Sequence, residues 1–116
     1  MPYVLGVDVG RTRGTAAVCR RAGGVFGPAE AVSVDHGTPW TPAVLAISDG
    51  GEVLVGQAAR AWAAVEPHRV ARDFMPRVGD GVPVLLGGEL YPAETLAAAM
   101  VAWIADAVAA EEPTTV

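Results

Sequence analysis

YVLGVDVGRTRGTAAVC, residues 3–19, is the stretch whose reading decides the fold. An apolar run from Val4 to Val9 carries one acid, Asp8, and Gly10 follows at once. Arg11, Thr12, Arg13 and Gly14 make a turn, and a second apolar run begins at Thr15. The pattern predicts strand, tight polar turn, strand. An acid inside a strand of valine and leucine is costly unless it is paired, hydrated or bound to a metal. A glycine just after it lets a ligand approach the backbone closely. The turn offers backbone N–H groups, a hydroxyl and two guanidinium groups, which suit a phosphate oxyanion. One reading is a phosphate-binding hairpin of Asp8, Gly10, Arg11, Thr12 and Arg13, with Asp8 facing a hydrated Mg²⁺. The other is an ordinary solvent-facing hairpin ending in an aspartate, because short glycine-rich motifs recur by chance.

The totals bound these readings. At 116 residues the chain is one domain or part of one, and with 52% hydrophobic residues it can form a core. Much of that fraction is alanine, which contributes less burial per residue than leucine or phenylalanine. The net charge is −5 with no run of like charge, and no basic patch argues for nucleic acid. There is no lysine; all eight side-chain cations other than histidine are arginines. Cys19 is the only cysteine, so neither an intrachain disulfide nor a cysteine zinc site is expected, and its expected place is a small buried residue of the second strand. The N-terminus lacks the pattern of a signal peptide. The apolar C-terminal stretch is alanine-rich and broken by Asp106, which argues against a membrane span. A soluble, cytoplasmic chain is the expectation.

Strands are expected at Val4 to Val9, Thr15 to Arg20 and, after a Gly23-Gly24 turn, Ala29 to Val34, making an antiparallel meander. Asp35 to Pro42 is read as a loop, since its two prolines and glycine exclude a helix. Ala43 to Ser48 and Glu52 to Val55 form a hairpin about Asp49-Gly50-Gly51. A helix follows over Gln57 to Val65, with Ala58, Ala61, Trp62 and Val65 on one face and Pro67 as its stop. Arg69 to Val78 reads as a short irregular helix interrupted by Pro76, and Val82 to Tyr91 as a hairpin about Gly87-Gly88. The clearest helix runs from Pro92 to about Ala110. Pro92 suits its first position, and Glu94 suits the positive end of its dipole. Leu96, Met100, Trp103, Ile104 and Val108 make an apolar stripe read as core packing. Glu111, Glu112 and Pro113 end it, and Thr114 to Val116 could begin another strand.

Three segments, in order, carry a resemblance to a known family. They are Gly6-Val7-Asp8-Val9-Gly10-Arg11-Thr12; Thr41-Pro42-Ala43-Val44-Leu45-Ala46-Ile47 with Gly51-Glu52 and Val55-Gly56-Gln57-Ala58-Ala59; and Glu66-Pro67-His68 through Arg77-Val78-Gly79 with Tyr91-Pro92 opening a helix. With these, the chain resembles the start of the ATPase domain of the seventy-kilodalton heat-shock chaperones (the DnaK type). The first segment is shared more widely with actin and sugar kinases, the second is far more specific to the chaperone branch than the first, and the match covers essentially the whole chain.

The resemblance implies a mixed α/β, ribonuclease-H-like fold. Residues 1–116 would be the first part of an actin-type ATPase lobe, with 38–91 as a smaller outer α/β subdomain and the long helix at the C-terminal end. It implies ATP or ADP with Mg²⁺ as ligand. Asp8 would face the hydrated metal, and Gly10 to Thr12 would hold the β- and γ-phosphates. Three departures qualify activity. Arg11 replaces the first of the family's two hydroxyl residues, and the family's catalytic lysine falls on Met75, which can neither donate to a γ-phosphate nor orient water. Arg72, one helical turn earlier, and Arg11 are the candidate replacements. The remaining carboxylates and the adenosine pocket would lie beyond Val116, so the 116 residues alone are not expected to hydrolyse ATP.

The alternative is a non-catalytic module that uses the same fold to hold a protein partner or to self-associate; a sugar-kinase relative leaves the second segment unexplained. No metal site is expected at His36 or His68. Trp40 is read as a packing anchor, Trp62 and Trp103 as core, and Asp73 and Asp80 as solvated turn acids.

Overall fold

A computed structural model describes residues 3–112. The opening meander is present as β1 (Tyr3–Val9), β2 (Arg13–Ala22) and β3 (Val25–Ala31), all antiparallel. In the β1–β2 ladder Leu5 faces Val18 and Val7 faces Ala16, while Asp8 lies opposite Thr15. Alternation therefore sends Leu5, Val7, Ala16 and Val18 to the core and Val4, Gly6, Asp8, Thr15, Ala17 and Cys19 to the other face.

Two expectations fail here. β3 begins at Val25, not Ala29, because Gly23 and Gly24 take φ of 60° and 80° and close a two-residue turn that pairs Ala22 directly with Val25. Every residue of β3 is exposed, so it carries no inward–outward alternation, and Pro28 is tolerated because the strand is an edge. Cys19 is half-buried on the outer face and does not join the core.

The segment read as a loop contains a strand. β4 (Trp40–Pro42) pairs with Arg13–Thr15 of β2, and the Ala43 amide donates to the Thr12 carbonyl at 3.0 Å. A second antiparallel sheet, in the order β6–β5–β7, is built from β5 (Leu45–Ile47), β6 (Val53–Val55) and β7 (Val70–Ala71). β7 lies where an irregular helix is expected. Pro76 and the positive φ of 52° at Asp73 break the helical path, the free edge of β5 takes up Val70 and Ala71, and only a 3₁₀ turn remains at Met75–Arg77. Helix α1 (Gln57–Trp62) is shorter than expected and its inward face differs. Ala59 is buried and Trp62 half-buried, whereas Ala58, Ala61 and Val65 are exposed. The last hairpin, β8 (Val84–Leu86) and β9 (Glu89–Tyr91), turns at Gly87-Gly88 with φ of 62° and 85°.

Helix α2 (Ala93–Glu111) buries Ala93, Leu96, Met100, Ile104 and Val108, with Trp103 half-buried against the same core. By length and composition it could cross a membrane; here that apolar stripe lies in the protein core. Gly14 shows how closely it packs. A Cβ there would stand 2.9 Å from Ile104 Cδ1 and 3.1 Å from Met100 Cε. The main core also takes in Val34, Leu45, Val55, Phe74 and Leu86, and a smaller cluster of Val44, Ala46 and Ala59 lies under α1. At the far end, Arg20 ties β2 to Glu30 of β3 and, at 2.6 Å, to Glu112 just past α2. The Glu112 hydrogen bond is the main reason the Arg20 guanidinium holds its proton more tightly than usual. Residues 113–116, including the strand expected to begin at Thr114, lie outside the described residues.

Asp35 is the buried polar group that joins these parts. It is 4% exposed, and its Oδ2 accepts from Thr41 Oγ1 at 2.7 Å and from the Gln57 amide at 2.8 Å. Gln57 is the first residue of α1, which has no side-chain cap of its own, so a carboxyl from 22 residues away serves that role. Gly56, at φ 73°, leaves the room; a Cβ there would overlap Asp35 Oδ2 and Thr41 Oγ1.

Replacing Asp35 by alanine strands the Thr41 hydroxyl and the Gln57 amide, and should cost on the order of 3 kcal/mol in urea unfolding. Gly56→Ala should cost at least as much, through overlap and backbone strain together. A loss below about 1 kcal/mol in both would show that the network does not hold the fold.

A pH effect follows from the last hairpin. The Tyr91 hydroxyl donates to Glu89 Oε2 at 3.0 Å, and this bond holds the phenol above its ordinary value of 10.0. A raised folded value gives a contribution that is present below pH 10.0 and lost as the pH rises through the folded value. Phenolate absorbance should show a late-titrating tyrosine that returns to the ordinary range in Glu89→Gln.

Candidate functional site

The β1–β2 turn is short and fixed at both sides. The Gly10 amide donates to the Arg13 carbonyl at 2.9 Å, leaving Arg11 and Thr12 at the tip. Among the described residues, the amides of Arg11 and Thr12 donate to no backbone carbonyl. The Thr12 carbonyl is held by Ala43, and close packing of α2 at Gly14 supports the turn from below.

The hairpin residues divide between two hollows. Asp8, exposed at the end of β1, shares a broad hollow of about 540 Å³ with Gly6, Arg13, Thr15 and Trp40 on the outer face of the sheet. Arg13 stacks its guanidinium over the Trp40 ring at 4.6 Å, so Trp40 anchors an arginine. Arg11 and Thr12 instead line a smaller hollow of about 260 Å³ with Arg60, Arg72 and Asp73. Arg11 Nε reaches Asp73 Oδ1 at 3.1 Å, which makes Asp73 a partner of the hairpin tip.

The sequence singles out Asp8, Gly10, Arg11, Thr12 and Arg13, and the structure keeps them on one hairpin while turning their side chains to two sides. Met75 packs half-buried against the main core and lines neither hollow. Arg72 and Arg11, the candidate substitutes for a lysine, do share a hollow. His36 stands 3.7 Å from Asp35, and no group of three His, Cys, Asp or Glu side chains converges as a metal site among the described residues. Asp80 accepts from the Val82 amide at 2.8 Å, closing its own turn. Arg60 escaped the sequence reading. Its signal is faint: no acid lies three or four residues to either side, so local pairing cannot neutralise it.

The class these features define is a mixed α/β fragment with antiparallel sheets and a C-terminal helix, and its sequence is chaperone-like. No protein-family model matches the chain. Over 76 residues it is 36% identical to the protein named Heat shock 70 kDa protein BIP3 of Oryza sativa subsp. japonica, a match covering 66% of this chain and 11% of that protein. Over 96 residues it is 27% identical to the Chaperone protein DnaK of Thermotoga maritima and, separately, to that of Thermotoga neapolitana, covering 83% of this chain and 15% of each relative. The homology is weak and partial, and it supports a fragment related to the seventy-kilodalton heat-shock chaperones. The matched regions span only 11% to 15% of the length of these curated relatives.

The Arg11–Asp73 pair is 70% and 59% exposed at its two side chains and is therefore well screened. Arg11→Ala should change stability by no more than about 0.5 kcal/mol in urea unfolding. A loss above about 2 kcal/mol would make Arg11 a structural residue instead of an available one.

Proposed function

We propose that the chain is part of the first lobe of an actin-type, chaperone-family ATPase domain, with residues 38–91 as its outer subdomain, and that it supplies the first phosphate-binding hairpin of a nucleotide site. The observation that carries this reading is the hairpin itself. It combines an exposed strand-end carboxylate at Asp8, a tip whose Arg11 and Thr12 amides are unspent on backbone, and a threonine hydroxyl. That donor set suits a Mg²⁺-bound phosphate chain. Asp8 would hold the hydrated metal through water, and the amides of Arg11 and Thr12 with the Thr12 hydroxyl would hold phosphate oxygens; Gly10, whose amide is bonded to Arg13, would allow close approach, and the Arg11 and Arg13 guanidinium groups would reach the phosphates by leaving Asp73 and Trp40. When bound, the metal would neutralise charge on the phosphates. This chain's own contribution is to bind and orient.

Hydrolysis is proposed to be weak or absent. Met75 offers no cation, and Arg11 puts a bulkier, charged group where the family resemblance implies a hydroxyl residue. Loss of a positioned cation at a transferring phosphoryl group costs orders of magnitude in rate.

A second reading, a protein-interaction module, is favoured by one observation. Leu85 and Leu90 lie directly opposite each other on β8 and β9 and are 66% and 65% exposed. A paired apolar surface of this kind suits a partner protein or a second copy of the chain.

Calorimetry with Mg²⁺-ATP and Mg²⁺-ADP tests the first reading. Binding is expected, with Asp8→Asn weakening it at least tenfold in Mg²⁺ and much less in EDTA. No binding at millimolar nucleotide, or an Asp8→Asn variant that binds as wild type does, would overturn it.

A further inference from the structure

The outward face of the opening sheet lacks the polar residues that a solvated sheet face carries. An antiparallel sheet with one wet face alternates apolar residues inward with polar residues outward. Here the outward row reads Val4, Gly6, Ala17 and Cys19 over β1 and β2, and Ala29 and Ala31 of β3 lie opposite Cys19 and Ala17. Val4 is 55% exposed, and Gly6, Ala29 and Ala31 are exposed with it. Such short side chains leave the face low and even, so a second sheet can pack against it at about 10 Å.

The charges of this face are gathered at one end and held apart. Thr15 lies between Asp8 of β1 and Trp40 of β4. Arg13 carries its guanidinium over the Trp40 ring at 4.6 Å, on the side of β2 away from β1. Asp8 and Arg13 line one hollow of about 540 Å³, both are exposed, and neither makes an ion pair among the described residues. Stacking uses the flat face of the guanidinium and leaves its N–H edge for a carboxylate. An anion and a cation set apart on one flat face form a self-complementary pattern. Rotation by half a turn about an axis between them brings the carboxylate of each copy to the guanidinium of the other. A partner carrying one sign of charge would match only half of it.

We infer that the outward face of the opening sheet is a docking surface for a second copy of this chain, packed sheet on sheet about a two-fold axis, with Asp8 of each copy paired to Arg13 of the other. The two ion pairs set register and partner, and the small-residue floor supplies apolar burial. A patch of a few short strands is small beside the ~1,600 Å² of a standard interface, so the dimer is a weak one. The surface is separate from Leu85 and Leu90 on the β8–β9 hairpin. Neither nucleotide nor metal takes part in this contact, which stands apart from the nucleotide reading; Asp8 serves both, so a bound Mg²⁺-nucleotide and the second copy would compete for it.

The test is sedimentation equilibrium of the 116-residue chain at low ionic strength, without nucleotide or divalent metal, at protein concentrations up to about 1 mM. A monomer–dimer equilibrium is expected, and added salt should weaken it. Asp8→Arg and Arg13→Asp should each weaken association at least tenfold, because each sets like charges face to face at both pairs. An equimolar mixture of these two variants should associate as wild type does, since mixing restores opposite charges at both pairs. Arg60→Asp, the same change of charge placed on α1, should leave association unchanged. Thermal melts would verify that every variant folds. A wild-type chain that stays monomeric, a mixture of folded variants that does not associate, or equal weakening by Arg60→Asp would each overturn the inference. Association lost in Leu85→Glu but indifferent to Asp8→Arg and Arg13→Asp would overturn it as well, and would move the contact to the β8–β9 hairpin. Calorimetry on dilute protein keeps the two readings apart. A monomeric chain that binds Mg²⁺-ATP refutes the dimer alone, and a dimerising chain whose monomer binds no nucleotide refutes the nucleotide reading alone.

Discussion

The buried carboxyl of Asp35 is the constraint on which the arrangement of the two sheets rests. One oxygen receives the Thr41 hydroxyl from β4 and the first amide of α1. β4 is bonded to β2 next to the hairpin, and α1 covers the second sheet. This buried acceptor therefore ties the second sheet to the first, beside the core they share. Burial makes the geometry strict, because each donor would be stranded without it. Gly56 belongs to the same constraint, since no other residue leaves space for the carboxyl.

That arrangement creates the neighbourhood around the hairpin tip. Thr12 is bonded to Ala43 immediately after β4, and Arg60 projects from the helix that Asp35 caps. β7 holds the start of the segment that carries Arg72 and Asp73. Below the turn, α2 comes so close that Gly14 has no room for a methyl group without movement of Ile104 and Met100. The tip is thus held by backbone bonds and packing, while its arginine side chains rest on exposed partners, Arg11 on Asp73 and Arg13 on Trp40.

Features whose signals lie close together in the chain were legible. The Gly-Gly turns at 23–24 and 87–88, the β1–β2 hairpin and the α2 stripe all carry local patterns, and the structure contains them. Features set by a distant partner were not. β3 has no buried face to mark its register, Trp40–Pro42 becomes a strand only because β2 offers an edge, and Val70–Ala71 does so because β5 does. α1 is too short for periodicity to choose its inward face correctly. The same division holds at the candidate site. Asp8 and Gly10 to Arg13 stand on one contiguous stretch, whereas the meeting of Arg11, Arg60 and Arg72 exists only in three dimensions.

The contact between α2 and the opening hairpin has a consequence for how the chain folds. Gly14 is covered by Met100 and Ile104, and Arg20 by Glu112, so elements from nearly opposite ends of the described chain complete one core. Such closure must span most of the polypeptide before its apolar contacts offset the entropy of the loop. Non-local closure of this kind slows folding relative to a core built from neighbouring elements. Without α2, Leu5, Val7 and Val18 would form an uncovered apolar strip on a sheet whose β1 edge is unpaired among the described residues, a surface of the kind that favours mispairing.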